Sequence, residues 1–463
     1  MTSRRAFLAL GGAAVAGAAL TGCSTSTSGS GSSGSGGGGS GGAASTGTGG
    51  GGKPLSVYVS QQSSFPQEQK AWFARIQKAF QDKTGRGVQY ETYTSATEEQ
   101  QRIQTSVVSG TGPDVYEIGT TFTPTAFATK SFVQFDDAKW SAVGGKDRFT
   151  PATLAMSGPS PDQQIAVPFT SIPFVLAYNT AMFEKAGIAE PPKTWDELVA
   201  DAKKLTTGGV YGLGMSYKDG FDPWKFVWMF ANQYGNPLVA DAKVTLDDPR
   251  VLRAFQAYFG FLTKDRIAPP QSVNWTGADN TAAFAAGKVA MIVMTNSQVL
   301  PTLAKSSLKS SFALAPIPTV PPGETALPAG GVPATTIVSG QNLVVASYSK
   351  DQDLALEYVA LVTSDAEQQH FSEVFGVLPT NAKAAAAIAG GNKNFAPVLA
   401  AGRTARPTPF TGAWSQVQLG LTNVVVQSLP ALSSGSVADS ALTGQLKSLQ
   451  ETAQTAVTKA AKQ

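Results

Sequence analysis

The sequence has one cysteine and one histidine among its 463 residues. A lone cysteine excludes disulfides within the chain, so the folded part depends on its apolar core for stability. A zinc site of histidine and cysteine ligands would also need more of these side chains than the chain has. The histidine, His370, lies in DAEQQHFSEVFG, whose pattern is that of a surface helix rather than of a catalytic centre.

The sequence also lacks a strong net charge and nucleotide-binding motifs. Its formal charge is +3, and loss of Arg4 and Arg5 with a cleaved leader would leave about +1 (3 − 2). So small a charge excludes the basic surface that nucleic-acid binding needs. No GxxxxGK[ST] occurs, and GTGPDV, which begins at Gly110, has the wrong spacing for a phosphate-binding loop. We therefore expect no nucleic-acid partner and no cofactor.

The first 22 residues have the features of an export signal. Arg4 and Arg5 precede an uncharged run, Ala6 to Leu20, which is shorter than the roughly 20 residues of a membrane-spanning helix. The start, SRRAFLAL, resembles a twin-arginine signal. Because Ala9 stands where such signals often have lysine, the choice between the twin-arginine and the general export route stays open.

The cysteine directly follows this apolar run. Leu20-Thr21-Gly22-Cys23 resembles the bacterial lipobox, in which the chain is cut just before a cysteine that receives a lipid. The alternative is a buried structural cysteine beside a membrane anchor. We expect residues 1–22 to be a signal peptide and Cys23 to be lipidated, which would anchor the protein at the outer face of the cell membrane.

The segment after Cys23 is rich in glycine and serine up to Lys53. Such a segment has too little apolar surface to form a core and behaves as a coil with an end-to-end distance of roughly 30 Å. Residues 23–53 are therefore predicted to be a tether between the lipid and the folded part.

Residues 54–463 alternate between strand and helix patterns. The first segments read as strand, helix, strand, helix and strand, which predicts an α/β fold with helices on the faces of a parallel sheet. Their approximate positions are Leu55–Val59, Ala71–Phe80, Val88–Tyr93, Thr97–Val108 and Asp114–Ile118. Thr97 with Gln100, and Thr194 with Glu197, have the spacing of helix-capping boxes.

Five motifs follow one another in the order found in one protein family. They are FQDKTGRGVQYETY, SVVSGTGPDVYEI, FVLAYNTAMFEKAGIAEPPKTWDEL, AAFAAGKVAM and FGVLPTNAKA. Together they resemble the extracellular solute-binding proteins of ABC-type sugar importers, the group that includes maltodextrin-binding protein. The resemblance covers nearly all of residues 54–463.

The resemblance implies two α/β lobes, each with a mainly parallel sheet, joined by strands that cross between them. We expect one lobe to comprise 54–174 plus 295–342 and the other 175–294 plus 343–463. The crossings would lie near Pro173–Asn179, Ala290–Thr295 and Asn342–Ser347. A protein of this kind closes around its ligand by a hinge, acts as a monomer and delivers a sugar to separate ABC permease subunits.

Sugars present apolar faces that pack on aromatic rings and hydroxyls that need donors and acceptors. In open α/β sheets such ligands bind beyond the carboxyl ends of strands. The candidates in the first lobe are Gln61 and Gln62, after the first strand, and Thr120 and Thr121, after the strand that ends near Ile118. Maltodextrin-binding protein has charged residues at the latter position, so we expect a different substrate.

The candidates in the second lobe are mainly tryptophans. Trp224, in GFDPWKF, is a candidate for stacking, and Trp275 and Asp279, in SVNWTGADN, could supply a ring and a carboxylate. Trp414 matches a family tryptophan that stacks on sugar, and Asn296 ends a predicted crossing strand. Gln341 and Asn342, near the last expected crossing, are further candidates.

Two other functions remain open at this stage. The same fold could bind a polyol, a glycerophosphodiester, an amino-acid-like molecule or a metal chelate. The predicted cleft loops contain no arginine, which favours a neutral ligand. A glycoside hydrolase would need two carboxylates that flank a cleft, for which Asp222 and Asp279 could be named, although nothing in their spacing requires it.

Overall fold

The computed structural model describes residues 52–391 and 394–462. The predicted signal peptide, Cys23 and nearly all of the predicted tether lie outside these residues. Within the described residues, no helix is both long and apolar enough to cross a membrane.

The strands are short, and those of the two main sheets are mostly buried. In chain order they are β1 (Leu55–Ser60), β2 (Val88–Tyr93), β3 (Val115–Gly119), β4 (Ala166–Ser171), β5 (Val175–Asn179), β6 (Tyr211–Gly214), β7 (Val239–Ala240), β8 (Lys243–Val244), β9 (Val289–Thr295), β10 (Phe312–Ala315), β11 (Gly340–Val345) and β12 (Leu378–Pro379).

The helices surround the sheets and become the dominant element in the C-terminal quarter. They are α1 (Pro66–Thr84), α2 (Ala96–Ser109), α3 (Thr123–Ala128), α4 (Asp137–Ala142), α5 (Pro151–Leu154), α6 (Thr180–Lys185), α7 (Trp195–Leu205), α8 (Pro223–Gln233), α9 (Pro249–Thr263), α10 (Gly277–Ala285), α11 (Val299–Ala304), α12 (Gln352–Val362), α13 (Asp365–Phe375), α14 (Ala382–Gly391), α15 (Phe395–Thr404), α16 (Trp414–Ser433) and α17 (Asp439–Ala460). Short 3₁₀ helices occupy Thr120–Phe122, Lys146–Arg148 and Pro270–Asn274.

Two sheets define two lobes. The sheet of the first lobe has the order β12-β4-β11-β3-β1-β2, and that of the second lobe has the order β10-β5-β9-β6. A separate hairpin pairs β7 with β8. The predicted α/β architecture is therefore present.

The sheets are mixed rather than mainly parallel. In the first lobe β1 pairs in parallel with β2 and β3, whereas β11 runs antiparallel to both β3 and β4. In the second lobe β6 is parallel to β9, and β5 is antiparallel to β9 and β10. The strand-helix-strand pattern at the N-terminus indicates only the parallel part, because antiparallel partners that come from far along the chain leave no local signal.

The strand pairing also corrects the expected division of the chain. Phe312–Ala315 pairs with β5, so this part of the 295–342 segment belongs to the second lobe. Gly340–Val345 and Leu378–Pro379 pair with β4, so the chain after residue 343 first continues in the first lobe. The expected boundaries are wrong here because strand order, unlike element type, depends on pairing between distant residues.

The chain passes from one sheet to the other in connecting segments. Two of the three strands expected to cross do not do so. Residues 172–174 link β4 to β5, which agrees with part of the first expected crossing. The return to the first sheet uses the long segment 316–339. Strands β9 and β11, where the other two crossings were expected, each lie within a single sheet.

Helical spacing of large apolar residues gives each lobe its core. On α1, Trp72, Ile76 and Phe80 recur at every fourth position and are buried against the first sheet. In the second lobe the Trp195 ring centroid lies 4.7 Å from that of Phe230 and 5.6 Å from that of Phe261.

One of the two predicted capping boxes is present. The Thr194 hydroxyl accepts a hydrogen bond from Glu197 N at 3.1 Å, and Glu197 accepts from Thr194 N at 3.2 Å. Helix α2 begins one residue before the expected cap, and Ser95 rather than Thr97 accepts from the first turn, at Glu98 N.

Gln233 joins α8 to the long segment that returns to the first sheet. Its side chain is fully buried, and Nε2 donates to Pro318 O at 3.0 Å and to Ala334 O at 2.7 Å. Its Oε1 accepts from Trp195 Nε1 at 3.1 Å. Both donors of this buried amide are thus used to position residues 316–339, and its oxygen ties α8 to Trp195.

We predict that Gln233→Leu lowers the free energy of unfolding by about 3 kcal/mol, because it leaves one buried donor and two carbonyls unpaired. Urea unfolding measures the change. Gln77→Leu, at an exposed position of α1, is the control and should change stability by less than about 0.5 kcal/mol. Equal stability of the two variants would contradict the assigned role of Gln233.

Candidate functional site

A cavity of about 320 Å³ lies between the two lobes. Residues of the first lobe form its first wall, and residues of the second lobe form its second wall. The carboxyl ends of β1, β2 and β3 meet at the first wall, as expected for a ligand site in an α/β sheet. The first-lobe lining includes Ser60, Gln61, Gln62, Tyr93, Thr94, Glu99, Glu117, Gly119, Thr120, Thr121, Thr170 and Gln341. The second-lobe lining includes Phe174, Asp219, Phe221, Asp222, Trp224, Lys225, Asn296, Gln298, Gln418 and Thr422.

The two predicted glutamines lie at the cavity. Gln61 is exposed, and its side chain makes no hydrogen bond with the described residues. Gln62 is held by Gln69, which accepts from Gln62 N at 2.9 Å and donates to Ser60 O at 2.7 Å. The buried Gln69 thus fixes the backbone from which both side chains project.

The two predicted threonines also line the cavity, but their hydroxyls differ in availability. The Thr120 hydroxyl donates to Val338 O at 2.8 Å and is buried. The Thr121 hydroxyl has no partner among the described residues and remains free to bind another molecule.

Asn296 lies at the cavity from the second lobe, directly after β9. Its Oδ1 accepts from Gln298 N at 2.8 Å, which orients the turn. Gln298 Nε2 in turn donates to Gln62 Oε1 at 3.4 Å, a long hydrogen bond between the two lobes. The amide group of Asn296 therefore shapes the rim at which the lobes meet.

Only one of the three tryptophans predicted to contact a ligand lines the cavity. Trp224 does so at 4% exposure, and its ring meets the ring of Trp414 edge to face at 5.8 Å between centroids. Trp414 itself has no exposed surface, so it packs behind Trp224 rather than reaching a ligand in this structure. A sequence pattern does not show which of two buried tryptophans lies nearer to the cavity.

Trp275 and Asp279 also fall outside the cavity lining. Trp275 is half-buried against apolar residues of the second lobe. The Asp279 carboxylate accepts from Thr276 N at 2.9 Å and from the Thr276 hydroxyl at 2.8 Å, which closes a capping box at the start of α10. The pattern TGAD is a helix start, and the Asp279 carboxylate caps the helix rather than facing the cavity.

Sequence analysis missed two buried glutamates in the first wall. Glu99 and Glu117 are each 4% exposed. Glu99 Oε1 accepts from Gly119 N at 2.7 Å, and Glu117 Oε1 accepts from the Ser60 hydroxyl at 2.6 Å. Burial raises the pKa of Glu99 to about 8, opposed by the Gly119 hydrogen bond and assisted by Glu117, and burial raises the pKa of Glu117 to about 7.

Sequence analysis also missed Phe221, on the loop before α8, and Lys225, on the first turn of that helix. Phe221 is 40% exposed, which is unusual for phenylalanine and leaves its ring free for stacking. Lys225 donates to Asp222 at 2.7 Å and lies over the Phe174 ring at 4.7 Å, so its charge is already paired. Asp219 holds the loop by accepting from Phe221 N, Asp222 N and Gly277 N.

The signals for these missed residues differ in strength. Glu117 lies within a strand that is otherwise apolar, and a glutamate is rarely buried there unless it is paired, so it could have been noticed. Phe221 is three residues from Trp224. Gln418 comes from a helix almost 200 residues later, and no local pattern connects it to the cleft.

Both aspartates considered for hydrolysis are engaged within the protein. Asp222 pairs with Lys225 and Asp279 caps α10. The part of the chain that the structure describes holds no cluster of three or more His, Cys, Asp or Glu side chains suited to a metal ion. The volume is at the small end of the range for ligand pockets, which suits one or two sugar rings.

Comparison with known proteins agrees with this geometry. The sequence profile described as "Bacterial extracellular solute-binding protein" matches residues 62–369, which is more than half of the chain. This chain is a bacterial extracellular solute-binding protein. The family consists of binding proteins, so this solute-binding protein is not an enzyme.

Among curated proteins, the solute-binding protein is 29% identical over 371 residues to "Diacetylchitobiose binding protein DasA" of Streptomyces coelicolor, covering 79% of this chain and 82% of the relative. Among solved structures, it superposes on maltose-bound MalE3 of T. maritima with a TM-score of 0.73 at 20% identity, covering 87% of this chain and 100% of the other. A ribitol complex of a solute-binding protein from Agrobacterium radiobacter gives a TM-score of 0.71 at 21% identity, covering 87% and 98%. The predicted two-lobed fold is confirmed.

We predict that Glu99→Gln makes the protein less sensitive to rising pH. The folded-state pKa of about 8 exceeds the ordinary 4.5, so native Glu99 keeps a proton that the unfolded chain releases. The resulting stability is complete below about pH 4.5 and is lost as the pH rises towards 8. Melting temperatures of wild type and variant should therefore agree near pH 4.5, and the variant should melt higher at pH 8.

Glu184→Gln, on the exposed surface of α6, removes the same charge away from the cavity and serves as control. Its melting temperature should follow the pH as in the wild type. An unchanged pH dependence in Glu99→Gln would contradict the assignment of a protonated, buried Glu99.

Proposed function

We propose that the protein captures a small sugar in the cleft between its lobes and delivers it to an ABC-type importer. The observation that carries this proposal is the mixed lining of one cavity by both lobes. Free amides and a free hydroxyl at Gln61, Gln418 and Thr121 face it together with the rings of Phe221 and Trp224. This combination matches the hydroxyls and the apolar faces of a sugar ring.

Closure follows from a cavity that has a wall on each lobe. A ligand that touches both walls binds the closed form more tightly and shifts the population towards it. The closed form would then be the state that the membrane permease recognises. Diacetylchitobiose, which the Streptomyces relative is named for, is a disaccharide of the class that the cavity volume admits.

A polyol is the second candidate, because an acyclic chain of hydroxyls uses the same donors and acceptors. An anionic ligand such as a glycerophosphodiester is disfavoured, since Lys225 is the cation at the cavity and is paired with Asp222. We also propose that Cys23 carries the lipid that keeps the protein at the cell surface and that the folded part acts as a monomer.

We predict that the protein, as a full-length Cys23→Ala variant, melts at a higher temperature in the presence of one class within a panel of sugars and polyols. A ligand that binds only the folded state raises the melting temperature by mass action. Mass spectrometry should recover that ligand unaltered. A shift with anionic compounds alone, or chemical conversion of the ligand, would contradict sugar capture.

We predict that Phe221→Ala weakens binding of the identified sugar roughly 10-fold, because it removes an exposed stacking ring from the second wall. Isothermal titration calorimetry measures the dissociation constant. Val108→Ala, an 88% exposed apolar position outside the cavity, is the control and should leave affinity unchanged. If both variants bind equally well, the ring does not contact the sugar.

We predict that Cys23→Ala releases the exported protein into the medium of the bacterium that produces it, because a chain without the acyl groups has no anchor. Fractionation of cells and medium, followed by immunoblotting, measures the distribution. Cys23→Ala protein that stays with the membrane after removal of its leader would contradict lipid anchoring at this residue.

A further inference from the structure

The two buried glutamates of the first wall have no positive charge to pair with. Neither Glu99 nor Glu117 forms an ion pair within the described part of the chain, and no cation contributes to the pKa of either carboxyl. Lys225, on the opposite wall, is committed to Asp222 at 2.7 Å. The first wall therefore has an uncompensated negative potential whenever these groups ionise.

Acceptor atoms converge around Gly119 at the end of β3. Alternation along the strand puts Glu117 and Gly119 on one face, and Gln341 of β11 is the register partner of Gly119. A Cβ atom at Gly119 would lie 3.8 Å from Glu99 Oε1 and 3.9 Å from Gln341 Oε1. Glu99 and Gln341 thus face the same small volume of the cavity.

Several of these acceptors have no donor. Glu99 Oε2 receives no hydrogen bond from any described residue, and Gln341 Oε1 is buried without a partner. On the facing wall, Gln418 is 6% exposed, lines the same cavity, and has a buried Oε1 that is also unpartnered. Buried acceptors of this kind need a donor that the described residues do not supply.

We infer that the first wall selects a ligand with a cationic amine, which within the sugar class means an amino sugar whose amine is free rather than acetylated. This inference rests on the proposed function of sugar capture and names the substrate class of that same cavity. An ammonium group carries three donors and a positive charge, whereas a hydroxyl carries one donor and no charge. Only the ammonium group supplies donors to several acceptors and also compensates the charge of Glu99 and Glu117.

The other charged and titratable groups around the cavity agree with this reading. Tyr93 of β2 donates its hydroxyl to Glu117 O at 3.1 Å and remains neutral, since burial holds its pKa well above the ordinary value. Burial also raises the pKa of Asp222, and Lys225 beside it opposes that rise. Tyr58 lies under α2 with its pKa raised by burial, and Arg102 of the same helix pairs with Glu91.

At pH 6 both glutamates hold protons, as their pKa values of about 8 and about 7 require. An ammonium group stabilises the ionised form and lowers both pKa values. At pH 6 its binding must therefore release protons to the buffer, whereas a neutral sugar has no charge with which to drive that release.

The experiment is isothermal titration calorimetry of the full-length Cys23→Ala protein with matched sugars. Glucose, galactose, mannose and cellobiose are each compared with the 2-amino and the 2-acetamido counterpart. At least one free amine should bind more tightly than its neutral counterparts by roughly 10-fold or more, because each hydrogen bond to a charged group exceeds a neutral one by roughly this factor. Titrations at pH 6 in buffers of different ionisation enthalpy should show proton release with the amine alone.

Variants separate the first wall from the rest of the protein. Glu99→Gln with Glu117→Gln should abolish both the preference for the amine and the proton release, while Glu184→Gln on the exposed surface of α6 should keep them. Gly119→Ala gives an independent check, because its backbone φ of −58° accepts alanine and the new methyl group meets its neighbours at ordinary contact distance. It should weaken amine binding while the protein stays folded.

Two results would overturn the inference. Tighter binding of a neutral or acetylated sugar than of its amine would refute amine selection and leave sugar capture intact. Absence of binding by every sugar of the panel, with the protein folded, would refute the proposed function and the inference together.

Discussion

The insertion of β11 between β3 and β4 is the interaction on which the cleft depends. Its antiparallel hydrogen bonds to both neighbours bring a segment more than 200 residues away from β3 into the middle of the first sheet. This pairing sets Gln341 opposite Gly119. It also requires the long return segment 316–339, which Gln233 fixes from the second lobe. Without that strand the first wall would lose its middle, and the second lobe would lose one of its connections.

The polar residues in and around the cleft differ in whether their side chains already form hydrogen bonds within the protein. Asp219 and Asp222 in the cavity lining, and Gln69 and Asp279 outside it, use their polar atoms within the protein, where they hold loops and helix ends in place. The side chains of Thr121, Gln61 and Gln418 form no hydrogen bond with any described residue and line the cavity. A polar residue near a cleft therefore reveals little about ligand contact until its hydrogen bonds are known, and this distinction separates Thr121 from Asp279.

Burial raises the pKa values of Glu99 and Glu117, two carboxyl groups of the first wall. A carboxyl taken out of water without a cation holds its proton to a higher pH, and such perturbed groups concentrate where a protein binds or reacts. In this chain they stand beside a cavity in a family of binding proteins. The inferred role in recognition of an amine rests on this position beside the cavity, because the two carboxyls have no cation among the described residues with which to pair when they ionise.

The amino-acid sequence by itself determined the α/β class, the helix start at Thr194, the family and the loops at Gln61, Gln62, Thr120 and Thr121, because periodicity, capping and strand-end position are local properties. The proposed export signal and the proposed lipid on Cys23 likewise rest on local patterns. Tertiary structure alone decided which sheet receives Phe312–Ala315, that Trp414 lies behind Trp224, and that Glu99, Gln341 and Gln418 face one cavity. These outcomes depend on pairing and packing between residues distant in the chain, and burial, which sets the pKa of Glu99 and the accessibility of Trp414, exists only once that packing is complete.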